Sequence, residues 1–168
     1  LAQIFMEAGY PDGLFTNLVI DLETTGEVID HPLVRAISLT GSVRAGRSVA
    51  ARAGAAIKKC VLELGGSDPS LILADANIDE AVASCRLART VNTGQSCVAA
   101  KRLVVVEPVR EEFESKLVSA MEATVMGDPL DPTSDIGPLS REDLRDTLHS
   151  QVQRSVRSGA RLLTGGEP

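Results

Sequence analysis

Apolar residues recur four positions apart along several stretches of the chain. Ala45, Val49, Ala53 and Ile57 form one such row, and Val109, Phe113, Leu117, Met121 and Val125 form another. Leu144, Leu148, Val152 and Val156 form a third. That spacing places each row on one face of a helix. Ile78, Ala81, Val82 and Cys85 follow the same helical pattern, with Asn77 and Glu80 before them in capping-box order. Lys58 and Lys59 stand near the C-terminal end of the first of these helices, where cations suit the helix dipole. Ser140 with Asp143 is read as the cap of the last helix. Between the helices lie short apolar runs at Leu14–Ile20, Val34–Leu39, Cys60–Leu64, Leu71–Leu73 and Leu103–Val106, with a further one at Arg161–Leu163. Each predicts a strand. Leu1–Ala8 looks like the end of a helix closed by Gly9, with Pro11 beyond. Strands alternating with helices predict an α/β fold with crossover connections and a mostly parallel sheet. Two glycines and Asp68-Pro69 break the pattern after Leu64, which suggests a boundary between domains at 1–64 and 65–168.

Composition narrows the classes. Hydrophobic residues make up 43% of the 168, enough for a packed core, but aromatics are only 2%. The core must therefore be aliphatic. A net charge of −6 argues against a non-specific nucleic-acid binder. No apolar run approaches the length of a membrane span. Three cysteines at irregular spacing make no disulfide framework, and two histidines with no CxxC leave no metal site. A reducing, cytoplasmic setting follows as the expectation. The chain opens in a helical pattern without Met and stops in a turn, Gly165-Gly166-Glu167-Pro168, so it reads as an internal piece of a longer protein.

Three segments carry candidate chemistry. Thr40-Gly41-Ser42-Val43-Arg44-Ala45-Gly46 joins a strand to a helix. It reads either as an ordinary turn with a serine cap or as an anion site, where free N–H groups meet the positive end of a helix. Gly41 would admit a phosphate, Ser42 would cap and donate, and Gly46 would let helix and strand lie close. Glu63-Leu64-Gly65-Gly66 ends an apolar run with a carboxylate, in a position that alternation buries or aims at a cleft. That carboxylate is either a structural ion-pair partner or a tuned general base. Cys97 lies in Asn92-Thr93-Gly94-Gln95-Ser96-Cys97, followed by Lys101 and Arg102. A free cysteine is often a small buried hydrophobe, a reading that suits Cys60 and Cys85. For Cys97 the polar, glycine-containing loop and nearby cations leave a reactive thiol equally open.

Together these segments resemble the aldehyde dehydrogenase superfamily. Phe5-Met6-Glu7-Ala8-Gly9-Tyr10-Pro11-Asp12-Gly13, Leu39-Thr40-Gly41-Ser42 with Gly46, and the Glu63–Pro69 run match its pattern. So do Asp75-Ala76-Asn77-Ile78-Asp79, the Asn92–Cys97 loop, Gly127-Asp128-Pro129 and Ile136-Gly137-Pro138. The Glu63 and Cys97 motifs stand 34 residues apart, and the pair is far more specific than either alone. The local text around Cys97 and Asp143–His149 looks most like the succinate-semialdehyde dehydrogenase branch.

The resemblance implies an enzyme that oxidises an aldehyde to its acid with NAD or NADP. Cys97 would attack the carbonyl to give a thiohemiacetal and then a thioester, with the oxyanion on the backbone N–H at the cysteine. Glu63 would activate water. Gly41, Ser42 and Gly46 would hold the cofactor pyrophosphate, with Leu64 and Gly65 near the nicotinamide. It also implies a Rossmann-like sheet at 1–64, the C-terminal part of a cofactor domain, and at 65–168 the N-terminal part of a catalytic domain. The partner is a small aldehyde, with neither nucleic acid nor membrane involved, and the assembly is a homodimer or homotetramer. Several family segments fall outside the 168 residues, so the piece alone is expected to be a poor or inactive catalyst. The competing readings are an acylating enzyme that passes the acyl group to coenzyme A, and a non-catalytic member of the fold.

Overall fold

Strands β1 (Ala36–Thr40) and β2 (Lys59–Glu63) run parallel, in register from Ala36 opposite Lys59 to Thr40 opposite Glu63. A computed structural model describes residues 1–168. The helix α3 (Val43–Ala55) crosses between these two strands. Two further helices precede them, α1 (Ala2–Glu7) and α2 (Leu22–Asp30). A second parallel pair joins β3 (Pro69–Ile72) to β4 (Arg102–Val105). It is connected through α4 (Ile78–Thr90) and a 3₁₀ turn at Val91–Gly94. The helices α5 (Glu107–Glu122) and α6 (Glu142–Arg157) follow. The α/β class with parallel strands is what the alternation requires, since parallel neighbours need a crossover. The chain divides into two compact units, Leu1–Leu64 and Gly65–Pro168.

In the first unit α2 and α3 lie side by side. Arg52 grips Asp30 with two bonds, Nε to Oδ1 at 2.9 Å and Nη2 to Oδ2 at 2.6 Å. Its guanidinium lies over Gly26, where a Cβ would collide with it. The Lys58 ammonium donates to the carbonyls of Ile29 at 2.5 Å and His31 at 2.7 Å, closing the C-terminal end of α2. In the second unit the core gathers Ile72, Ile78, Val82, Cys85 and Phe113, with Val109, Leu103 and Leu117 packed against it. Phe113 thus anchors the apolar row of α5 on α4. Burial also pushes the Cys85 thiol pKa up, as expected of an inert core cysteine.

Several expectations fail. Leu14–Ile20 is no strand: Val19 is 94% exposed and the run pairs with nothing. The regular element comes after it, as α2, capped by Asp21 accepting from the Thr24 N–H at 2.8 Å. Ile57 does not continue the row of α3 but turns out at φ 53° and is 95% exposed. Lys59 opens β2 rather than closing α3. Val125 lies beyond the end of α5, and Arg161–Leu163 forms no strand. Ser140 does not cap α6; Arg141 holds the N-cap position and pairs instead with Asp143 at 2.6 Å. Periodicity fails at these ends because a helix stops where its backbone finds another partner, whatever apolar residue comes next.

Candidate active site

The β1–α3 junction is built as a helix N-terminus with spare donors. Ser42 Oγ accepts from the Ala45 N–H at 3.2 Å and the Ser42 carbonyl from Gly46 at 2.8 Å. The N–H groups of Val43 and Arg44 have no acceptor in the chain. Gly41 extends the ladder, its N–H donating to the Glu63 carbonyl at 2.9 Å. Gly46 faces Leu64 so closely that a Cβ would come within 2.8 Å of its Cδ2. Gly41, Ser42, Gly46, Glu63 and Leu64 are therefore brought together in one unit. Beside them lies a groove of about 440 Å³ between α2 and α3, lined by Leu22, Gly26, Leu39, Arg44, Ala45 and Val49. The sequence reading assigns no element to Leu22–Asp30, so α2 and this groove are not foreseen.

Glu63 ends β2 with its side chain exposed, on the same face as Lys59 and Val61. Alternation therefore does not bury it; Cys60 and Leu62 take the inward positions. It enters none of the ion pairs within the 168 residues. Gly65 opens the second unit, with open space where a Cβ would be. Its neighbour Gly66 meets the cysteine loop: a Cβ there would stand 2.5 Å from the Cys97 carbonyl oxygen. Gly66 and Cys97 thus pack together inside the second unit. A Gly66→Ala change in the full-length protein is expected to cost about 1–3 kcal/mol by overpacking this contact. Thermal unfolding with a wild-type midpoint would contradict it.

The cysteine loop is wound tightly. Asn92, Thr93 and Gly94 take left-handed angles in succession, at φ 50°, 55° and 72°. Such residues persist only where their surroundings hold them. The Thr93 hydroxyl donates to the Gly137 carbonyl at 3.1 Å, and Gln95 Oε1 accepts from the Ser140 N–H at 3.0 Å. Arg89 Nη2 donates to the Gly94 carbonyl at 2.8 Å and its Nη1 to Ala100 at the same distance. On this frame Cys97 is exposed, whereas Cys85 is buried and Cys60 half-buried. The two cations after Cys97 have defined tasks. Lys101 bonds the carbonyls of Ser96, Cys97 and Ala99, and Arg102 that of Ser67. A cavity of about 580 Å³ along α6 has Thr93, Leu148 and His149 in its walls, but neither Glu63 nor Cys97.

An aldehyde dehydrogenase family model matches residues 1–168. The chain belongs to the aldehyde dehydrogenase family. A succinate-semialdehyde dehydrogenase (NADP⁺) of Deinococcus radiodurans is 48% identical over 167 residues, covering 99% of this chain and 35% of that protein. The succinate semialdehyde dehydrogenase (NAD(P)⁺) of Escherichia coli is 47% identical, with 99% and 36% covered. The crystal structure of succinic semialdehyde dehydrogenase from Streptococcus pyogenes with NADP⁺ superposes with a TM-score of 0.94 at 36% identity, covering 99% of this chain and 38% of that one. This aldehyde dehydrogenase chain thus spans about a third of the length of the curated relatives it matches. No helix in it is long and apolar enough to cross a membrane.

The sequence does not show the bracing contacts of Arg89, Thr93, Gln95 and Ser140. Arg89 sits on a helix whose apolar face drew the attention. It stands only five residues before Gly94, but helical spacing does not show that its guanidinium reaches both loop ends.

Proposed function

We propose that the full-length protein oxidises succinate semialdehyde to the carboxylic acid with NAD or NADP. The observation that carries this reading is Cys97, exposed on a braced loop whose Ser96, Cys97 and Val98 N–H groups have no acceptor in the chain. The substrate and cofactor classes are supported by the names of the relatives.

The β1–α3 junction suits a dinucleotide. The unpaired N–H groups of Val43 and Arg44, at the positive end of α3, would take the pyrophosphate, with Ser42 beside them. Gly41 and Gly46 keep side chains out of the way, and Leu64 and Gly65 would flank the nicotinamide. The apolar groove between α2 and α3 would take the base. Bound there, the cofactor would supply the acceptor for the hydride that leaves the substrate carbon.

Cys97 forms the C–S bond as its thiolate attacks the carbonyl carbon, and the oxygen takes the negative charge. The Cys97 N–H donates to that oxygen, and a donor fixed in advance needs no reorganisation as the charge develops. Loss of hydride leaves a thioester on Cys97. The Glu63 carboxylate takes a proton from water, whose oxygen attacks the thioester carbon, and the C–S bond breaks to release the acid. An exposed carboxylate without an ion-pair partner is free for this task.

In this reading residues 1–64 are the C-terminal part of the NAD(P)-binding domain and 65–168 the N-terminal part of the catalytic domain. The setting is a cytoplasmic homodimer or homotetramer, consistent with three free cysteines. The test is reduced-nicotinamide formation by the full-length protein with succinate semialdehyde, using NAD and NADP in turn. Turnover with either is the expected result, and none with both overturns the proposal.

A further inference from the structure

The Cys97 loop is held by two cations that catalysis by Cys97 and Glu63 leaves without a task. Lys101 Nζ lies 2.9 Å from the Ser96 carbonyl, 3.3 Å from that of Cys97 and 3.0 Å from that of Ala99. Arg89 bridges the Gly94 and Ala100 carbonyls, both at 2.8 Å. Two charges thus gather five carbonyls of one seven-residue turn, Gly94 to Ala100.

The peptide geometry gives this a chemical consequence. The Ser96 carbonyl and the Cys97 N–H are the two ends of one peptide group, and the Cys97 carbonyl and Val98 N–H are the ends of the next. Both N–H groups lack an acceptor within the chain. A cation bonded at the oxygen of a peptide strengthens its N–H as a donor, because hydrogen-bonded groups polarise one another. Charge-assisted bonds are also the stronger ones, so they hold the turn that follows the left-handed Asn92 and Thr93.

We infer that Lys101 and Arg89 are positioning residues for the Cys97 reaction. Arg89 clamps the two ends of the turn. Lys101 holds its middle and polarises the Cys97 and Val98 N–H groups toward the oxyanion. Lys101 touches neither thiol nor substrate in this role. The inference rests on Cys97 as nucleophile.

The test acylates the full-length protein with p-nitrophenyl acetate in the absence of cofactor and reads the burst of p-nitrophenol. Lys101→Gln keeps a donor and removes the charge. It is expected to slow acylation about tenfold, less than the loss of a whole oxyanion donor, with KM within about twofold. Lys101→Arg restores the charge and is expected to recover most of the rate. A Lys101→Gln burst at the wild-type rate overturns the inference. So does an equal fall in both variants accompanied by a lower unfolding temperature, since that is the mark of a structural role alone. Should Lys101→Gln not fold, Arg89→Lys retains the charge but cannot bridge both carbonyls. A slower burst there supports the inference, and an unchanged one overturns it. The nucleophile reading fails separately, if Cys97→Ser retains the wild-type burst.

Discussion

Cys97→Ser in the full-length protein is expected to abolish both dehydrogenase turnover and the acylation burst. The loss should be on the order of 10⁴-fold or more, the scale on which removal of a catalytic nucleophile is measured. Serine keeps the size and the position on the loop, but its hydroxyl is a weak nucleophile without an adjacent base. The residues that brace the loop, Arg89, Thr93, Gln95 and Lys101, bond through carbonyls or their own side chains, so none depends on the sulfur. The variant should therefore unfold at the wild-type temperature. Full turnover in a correctly folded Cys97→Ser protein would remove Cys97 from the mechanism.

The second large effect separates the two halves of the reaction. Glu63→Gln is expected to leave acylation within about threefold while slowing steady-state turnover by about 10²–10⁴, the range of a lost general base. Glutamine matches the carboxylate in shape but does not accept the proton of the attacking water. Stopped-flow measurement should then show a burst of reduced nicotinamide followed by a slow phase. Equal losses in both phases would assign Glu63 to something other than deacylation. Adding coenzyme A distinguishes the acylating alternative, because a thiol acceptor needs no base for water. Wild-type turnover that requires coenzyme A would favour that enzyme class over a hydrolytic one.

Much of the fold around the candidate site was legible because its signals are local. Asn77 caps α4, Gly9 closes the first helix at φ 81°, and Ser42 caps α3, each through a backbone geometry set within a few residues. The apolar rows of α4 and α5 meet in one core for the same reason, since spacing alone decides which side chains share a face. The errors arose where local pattern competes with distant partners. Leu14–Ile20 has the composition of a strand, but a strand exists only if a neighbour accepts its hydrogen bonds, and none does here. Ser140 has the look of a cap, yet its N–H goes to Gln95, 45 residues away.

Residue types and spacing along the chain were enough to establish the alternation of strands and helices, the parallel pairing it compels, and the thiol and carboxylate with their glycines. Tertiary structure alone decided that Glu63 stands exposed without an ion pair and that Gly66 packs on the Cys97 carbonyl. It alone showed that Arg89 binds both ends of the loop and Lys101 its middle. The physical reason is reach. Periodicity and capping are properties of neighbouring residues, whereas a hydrogen bond from a long cationic side chain joins whatever carbonyls the fold delivers to it.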